Sequence, residues 1–454
     1  MIFNKYIIRY TVLIFSVLFI LSIGLFAQNI NEQWPGFRGL EARGYLDNAN
    51  TPVSWDINNN NNIKWKTKIP GLGHSCPVVW GNKLFVTTAV GENDDEYLKV
   101  GLYGDIDMAD EKGSYKFKVY CLNKNTGEII WERIAHEGVP KSKRHTKSSQ
   151  ANATPSTDGK HLIVCFGSEG LYNFSLDGDL LWKKDLGIMN PGPYNADGVE
   201  WGYSSSPVIH DGKIVIQNDS QSGCYLAVYD VKTGTEIWKT NRDELSTWGT
   251  PCVYSKDGQT QIIVNGFKHM GGYDFDTGEV IWKMSGGGDA PSTTPVVADD
   301  LIYINNAHGR NSPIYVVKPD AKGDITLKED ESSNDYIVWN IMRGGAYMQT
   351  PLIYKGYYYN LKGNGMLSCM NAKTGEVYYR ENLRPMTGMS SSCVASDNKI
   401  YCISEKGDVF VVQAGPEFKL LAKNPLDDLH MSTPAITKGA MFFRTQHYIY
   451  AVGK

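Results

Sequence analysis

The chain is short of the features that would assign it a chemistry directly. Its 45 basic and 49 acidic side chains leave a formal charge of −4 on 454 residues, so bulk charge does not recruit nucleic acid. There is no G-x-S-x-G elbow, no Walker loop and no H-E-x-x-H helix, which removes three common routes to hydrolysis. The eight cysteines include no adjacent pair and no C-x-x-C, so zinc and dithiol-redox readings have little to stand on. After residue 27 no apolar run is long enough to span a bilayer.

The one long apolar run, residues 11–27, follows Lys5 and Arg9 and ends Leu25-Phe26-Ala27 before Gln28. A positive flank, an apolar centre and a small terminal residue predict a cleaved secretory signal over 1–27. A retained membrane anchor is the alternative. The expected location is periplasmic or secreted, with no stable membrane span after cleavage. No Cys follows the run, which argues against lipid attachment. The cysteines fall mostly in apolar strand patterns, and buried free thiols are expected.

What the chain does contain is a repeat. Residues 248–284 read as four short strands rich in Val, Ile and Tyr, divided by Gly and Asp turns. Such a meander cannot bury its own faces and needs copies beside it. Its opening, Ser or Thr then Pro then apolar residues, recurs at Pro77, Pro155, Pro207, Pro251, Pro295, Pro351 and Pro434, and without Pro at Cys393. Its closing, T-G-E-x-x-W, stands at Thr126 to Trp131 and Thr277 to Trp282, with variants ending at Trp182, Trp238, Trp339 and Tyr379. The last copy lacks a final strand, while Asn62 to Thr67 looks like a closing strand with no blade before it. Sharing one blade between the two ends would close a ring and remove open edges. The expectation is an all-β fold, an eight-bladed β-propeller of four-stranded antiparallel blades over 62–454. An arm over 28–61 precedes it.

These openings and closings resemble the pyrroloquinoline-quinone-repeat, or quinoprotein-like, β-propellers. Trp34-Pro35-Gly36-Phe37-Arg38-Gly39 is similar to the N-terminal arm of secreted bacterial members. The resemblance implies that the closing aromatics Trp65, Trp131, Trp182, Trp238, Trp282, Trp339 and Tyr379 dock each blade on its neighbour. It does not choose among the family's dehydrogenases, assembly scaffolds and members of other roles. A quinone cofactor with calcium is what the family name implies. In those enzymes an adjacent Cys pair packs on the cofactor, and none exists here. Glu200, Asn195 and Asp289 are the only candidate calcium ligands that suggest themselves. Asp105 to Asp110 is a poor calcium loop, with Ala109 where an acid belongs and no central Gly.

In a propeller the A–B and C–D turns share one face, and the B–C and D–A loops share the other. Here the first set is short and uniform, and the second is long and irregular. Seven of the nine histidines, with Arg144, Arg310, Arg343 and Arg384, map to the second face. Long loops on a rigid scaffold are where binding concentrates. Residues three before each opening Pro are expected to ring the channel mouth: His74, Asn152, Ser204, Trp248, Ser292, Met348, Ser390 and Met431. Tyr203, Tyr347 and His430 stand one position earlier. The basic stretch Lys141 to Lys147 reads as a solvated loop.

Three functions follow. The first is binding or processing of an anionic saccharide, in its most concrete form a carbon–oxygen lyase or dehydratase acting on uronic acids. His74, Tyr203, Tyr347 and His430 would then be catalytic, and Asn152, Trp201, Trp248, Arg310 and Arg343 would bind substrate. The second is an envelope assembly scaffold whose partner is a protein. The third is a quinone-dependent dehydrogenase. A monomer is expected in each case.

Overall fold

The computed structural model describes residues 33–92, 98–101, 106–307, 311–329 and 331–454. The expected signal segment lies outside them. Eight antiparallel sheets follow one another along the chain, at residues 78–138, 156–184, 208–241, 252–284, 296–341, 352–382, 394–425 and 435–452. We number these blades 1 to 8. The last has only three strands of its own, and Ile63–Lys68 pairs antiparallel with Tyr448–Val452 to complete it. The eight-bladed propeller closed by an N-terminal strand is therefore the fold.

Strand burial follows position in the ring. In blade 4 the second strand, Gln259–Val264, ends in four buried residues because neighbouring blades cover both its faces. The outermost strand, Val280–Met284, instead alternates: Val280 is exposed, while Trp282 and Met284 are fully buried. That alternation is the physical content of the closing repeat.

The closing aromatics dock as the resemblance implied. Trp65, Trp131, Trp182, Trp238 and Trp339 each donate Nε1–H to a carbonyl of the next blade, at Lys124, Leu176, Val231, Phe275 and Ala372 (2.9–3.1 Å). The Gly of that blade's turn lies on the indole face: a Cβ on Gly127, Gly234 or Gly278 would stand 2.5–2.9 Å from the ring of Trp65, Trp182 or Trp238. The Asp or Asn before the turn caps it, as when Asp274 accepts the N–H groups of Asp276 and Thr277 (3.0 and 2.8 Å). Trp and Gly thus recur together because a large flat ring needs a bare backbone to lie on.

Trp282 departs from this. Blade 5 has an insertion in place of the turn, and its Gly323–Asp324 segment pairs in parallel with the outer strand of blade 4. Trp282 is buried beneath this insertion and donates to Gln261 (2.9 Å), which in turn donates to the Pro319 carbonyl (2.8 Å). A glutamine carries the inter-blade contact the indole makes elsewhere. Tyr379 likewise packs edge-on against Phe418 (5.6 Å), and its hydroxyl has no hydrogen-bond partner among the described residues.

A second set of bonds joins the blades around the channel. At seven of the eight junctions the residue before the opening Pro, or before Cys393, passes its N–H to the side chain at the same position of the next blade; the exception is Thr250 to Thr294, whose Oγ1 has no hydrogen-bond partner among the described residues. The chain of bonds runs Cys76 to Thr154, Thr154 to Ser206, Ser206 to Thr250, Thr294 to Thr350, Thr350 to Ser392 and Ser392 to Thr433 (3.0–3.1 Å). Thr433 returns to Cys76 Sγ (3.2 Å). All eight cysteines are free thiols and seven are buried.

The arm crosses the ring. Trp34 bridges to Val79 of blade 1, the Pro35 carbonyl accepts from Thr157 of blade 2 (2.8 Å), and Tyr45 bridges to Ala395 of blade 7. Gly278→Ala is expected to cost about 2–4 kcal/mol, because the new Cβ meets the Trp238 ring and φ is +75°. Gly258→Ala is expected to cost only about 1–2 kcal/mol, since its φ is also positive but nothing lies within 4 Å. Urea unfolding of the two variants checks the difference.

Candidate functional site

The inner strands enclose a cavity of about 460 Å³ on the channel axis. All eight residues three before the opening Pro, or its equivalent at Cys393, line it: His74, Asn152, Ser204, Trp248, Ser292, Met348, Ser390 and Met431. Most of the hydroxyl ring lies at the same wall, including Thr154, Ser206, Thr250 and Ser392. Side chains alternate along an extended segment, so positions one and three before the Pro share a face. Phe37 of the arm also lines the cavity.

The same alternation turns Tyr203 and His430 away. Tyr203 is buried between blades 2 and 3 and donates its hydroxyl to the Gln217 carbonyl (2.9 Å). His430 is 1% exposed and packs edge-on against Phe443 (6.3 Å). Arg343 is exposed, bridged through its backbone to Ser312, and does not line the cavity. Arg310 lies outside the described residues, as does His308. Tyr347 lines the cavity although it shares the register of Tyr203 and His430. Of the group expected to act on a substrate, His74, Tyr347, Asn152, Trp201 and Trp248 therefore converge, and Tyr203, His430 and Arg343 do not.

The aromatic part of the wall is continuous. His145 meets Trp201 edge-on (5.6 Å), and Trp201 meets Trp248 at 33° (5.7 Å). Trp248 Nε1–H is fixed on the Gly202 carbonyl (2.9 Å). Tyr194 stacks on Phe267 (5.5 Å, 23°). That loop is held from beneath by Glu244, whose carboxylate accepts the N–H groups of Phe267, Lys268 and His269 (2.7–3.1 Å). Asn152 spends its amide within the protein: it accepts from Ser149 and donates to Ser148 and the Tyr203 carbonyl.

Two parts of the wall were not legible as such. Lys147, expected in a solvated loop, forms an ion pair with the fully buried Glu405 of blade 7 and donates to the Gly101 carbonyl (2.7 Å). Glu405 also accepts from Gly101 N–H (2.6 Å) and Ser390 Oγ (2.7 Å). This clasp ties residues 98–101 of the blade 1 loop across the ring to blade 7. No local signal pairs residue 147 with residue 405.

The titratable groups are poorly matched to proton abstraction. Burial, and then Arg144 and Arg444, push His74 down to about 3. Burial, and then Lys147 and Lys99, push His145 down to about 4. Both are neutral and weakly basic at pH 7. Burial raises Tyr347 to about 12 and Tyr203 well above its ordinary value. A base for removing a proton next to a carboxylate should titrate nearer neutrality.

The three residues that could hold a calcium ion are not all at the cavity. Asn195 and Asp289 line the cavity, but Glu200 does not: its carboxylate accepts from Lys143 N–H (2.6 Å) and Asn190 (3.0 Å). Among the described residues no group of three His, Cys, Asp or Glu stands together for a metal. Of the Asp105–Asp110 stretch, Asp105 lies outside the described residues, the Asp107 carbonyl accepts from Thr146 N–H (3.3 Å) and Ala109 N–H donates to the Arg144 carbonyl (2.8 Å).

A family model described as outer membrane protein assembly factor BamB matches residues 115–339. BamB of Shewanella oneidensis is 23% identical over 64% of this chain and 65% of its own length. The tetrathionate hydrolase of Acidithiobacillus ferrooxidans is 21% identical over 70% of this chain and 60% of its own length. BamB of Yersinia pestis is 22% identical over 71% and 87%. The chain thus spans under two thirds of the length of the first two relatives. Among solved structures, a quinohemoprotein alcohol dehydrogenase from Comamonas testosteroni superposes with TM-score 0.63 over 93% of this chain and 80% of its own, at 12% identity. BamB from Moraxella catarrhalis gives 0.53 over 80% and 98%, also at 12%. With the eight blades and their docked closing aromatics, these likenesses support the resemblance of the chain to the PQQ-repeat β-propellers. Among the described residues no helix is long and apolar enough to cross a membrane.

The buried histidines imply an acid sensitivity. Burial holds His430 down at about 3, below the ordinary value near 6.5. Between those values the unfolded chain binds the proton and the folded chain does not, so stability falls as pH drops through this window. Neither ring nitrogen of His430 has a hydrogen-bond partner among the described residues. His430→Phe is therefore expected to match wild type at pH 7 and to lose less stability between pH 6.5 and 4, read by denaturant midpoint across pH.

Proposed function

We propose that this chain is an extracytoplasmic binding propeller whose central cavity holds a sugar-sized polar ligand. The observation that carries this is the convergence of eight equivalent wall positions and an aromatic face on one cavity. Indole and phenol faces suit the C–H face of a sugar ring, and the serine and threonine ring supplies hydroxyl partners. Catalysis is the less supported half of the expectation. Tyr203, His430 and Arg343 stand away from the cavity, and the histidines on its wall are weak bases. Binding without turnover is the better reading of a lyase-like residue set that does not converge.

A second reading, an envelope assembly scaffold, is favoured by the BamB relatives and by the propeller rim. Ile129, Ile130 and Ile134 of the blade 1 outer strand are all more than 40% exposed. A row of exposed apolar residues on an outer strand suits a protein partner.

Titration calorimetry with α-1,4-galactobiose and α-1,4-digalacturonate separates the two. The cavity reading expects binding of at least one, without product formation, weakened about tenfold in Trp248→Ala. His430→Phe is expected to leave the affinity unchanged. No binding of either sugar, with an envelope partner lost in Ile130→Glu, would favour the scaffold.

A further inference from the structure

Of the arginines expected at this face, the three among the described residues do not line the cavity. Arg144 is buried against Glu111 (2.5 Å), Arg343 and Arg384 are exposed, and Arg310 lies outside the described residues. Another arginine, placed in the arm by its sequence and given no role there, is in position to replace them.

Arg38 is 0% exposed. Its guanidinium donates only to carbonyls: Nη2 to Pro351 (2.8 Å), Nη1 to Cys393 (3.1 Å) and Thr350 (3.4 Å), and Nε to Ala42 (3.2 Å). Among the described residues no carboxylate pairs with it. A buried cation bonded only to neutral groups leaves a net charge uncompensated, and such charges are costly to keep without purpose. Burial lowers its pKa only to about 10, so the charge persists at neutral pH. A Cβ on Gly44 would fall 2.4 Å from Nη2, so the arm's own backbone seals that side. The cavity wall begins one residue away on both chains, at Phe37 and at Ser392, next to the acceptor Cys393.

The remaining charges at the wall nearly cancel. Lys147 is matched by Glu405, and Lys99 faces the same cavity as Asp289. Arg38 adds a buried cation one residue from this wall.

Resting on the saccharide reading above, we propose that the cavity selects a carboxylated sugar, and that Arg38 beneath its floor is the selecting charge. Arg38 acts through its field and touches no ligand, so it is a specificity residue and not a catalytic one. A buried charge is screened little by salt, unlike a charge on the loop surface.

The test uses the full chain, with α-1,4-digalacturonate, its methyl ester and α-1,4-galactobiose as calorimetric probes. The ester keeps the shape and removes the charge. The acid is expected to bind at least about tenfold tighter than the ester or the neutral sugar, and to keep most of that preference at high salt. The preference should fall to about twofold or less in Arg38→Met and survive in Lys99→Gln. Equal affinity for acid and ester overturns the proposal while leaving the saccharide reading intact. No binding of any probe overturns both. Should Arg38→Met fail to fold, the acid-to-ester ratio in Lys99→Gln and at high salt decides. Loss of the preference under either condition assigns selection to the surface lysine and overturns the proposal.

Discussion

The structure depends on closing a ring of eight blades, none of which is stable alone. Two sets of bonds do this at different radii. Near the axis, N–H groups and side chains of opening residues link seven of the eight junctions, and Thr433 returns to Cys76. Farther out, five of the six closing indoles lie on the next blade's bare turn glycine and bond a carbonyl beside it, Trp282 being the exception. The strand Ile63–Lys68, far from the C-terminus in sequence, completes the last blade. Removing any one contact leaves an edge exposed, and an exposed edge is both unstable and adhesive.

The cavity is a by-product of that closure before it is a site. Eightfold repetition places one side chain per blade at the same height on the axis. Departures from repetition then give it chemistry. Serine and threonine keep the hydroxyl ring, while His74 and Trp248 occupy equivalent wall positions with different character. The arm contributes Phe37 to the wall and sets Arg38 behind it. The Lys147–Glu405 clasp draws the blade 1 loop over to blade 7. Scaffold and site are therefore built from one set of positions, and a substitution in the channel has to be read for both.

Much of this was legible beforehand. Turn residues and Trp–Gly spacing mark most of the blades because their causes are local: a tight turn, a bare backbone, a flat ring. The wall residues could be listed from register alone, since position relative to the opening Pro sets which way a side chain points. That rule also accounts for the failures. Tyr203 and His430 stand one residue earlier and so face the inter-blade core. Tyr347, in the same register, reaches the cavity, and register gives no account of it. Trp282 shows a local signal overridden, because an insertion in blade 5 removed the glycine turn it would have met.

The sequence by itself determined the fold class, the number of blades, the shared last blade and the residues that dock one blade on the next. Each follows from short-range patterns repeated often enough to be read without coordinates. Only the tertiary structure decided where charge lies. Arg38 meets Thr350, Pro351 and Cys393 more than 300 residues away, and Lys147 meets Glu405 across the ring. Such pairings carry no periodic trace, because ring closure brings together residues that no neighbouring sequence relates. The rim of each blade is written locally, and the contents of the channel are not.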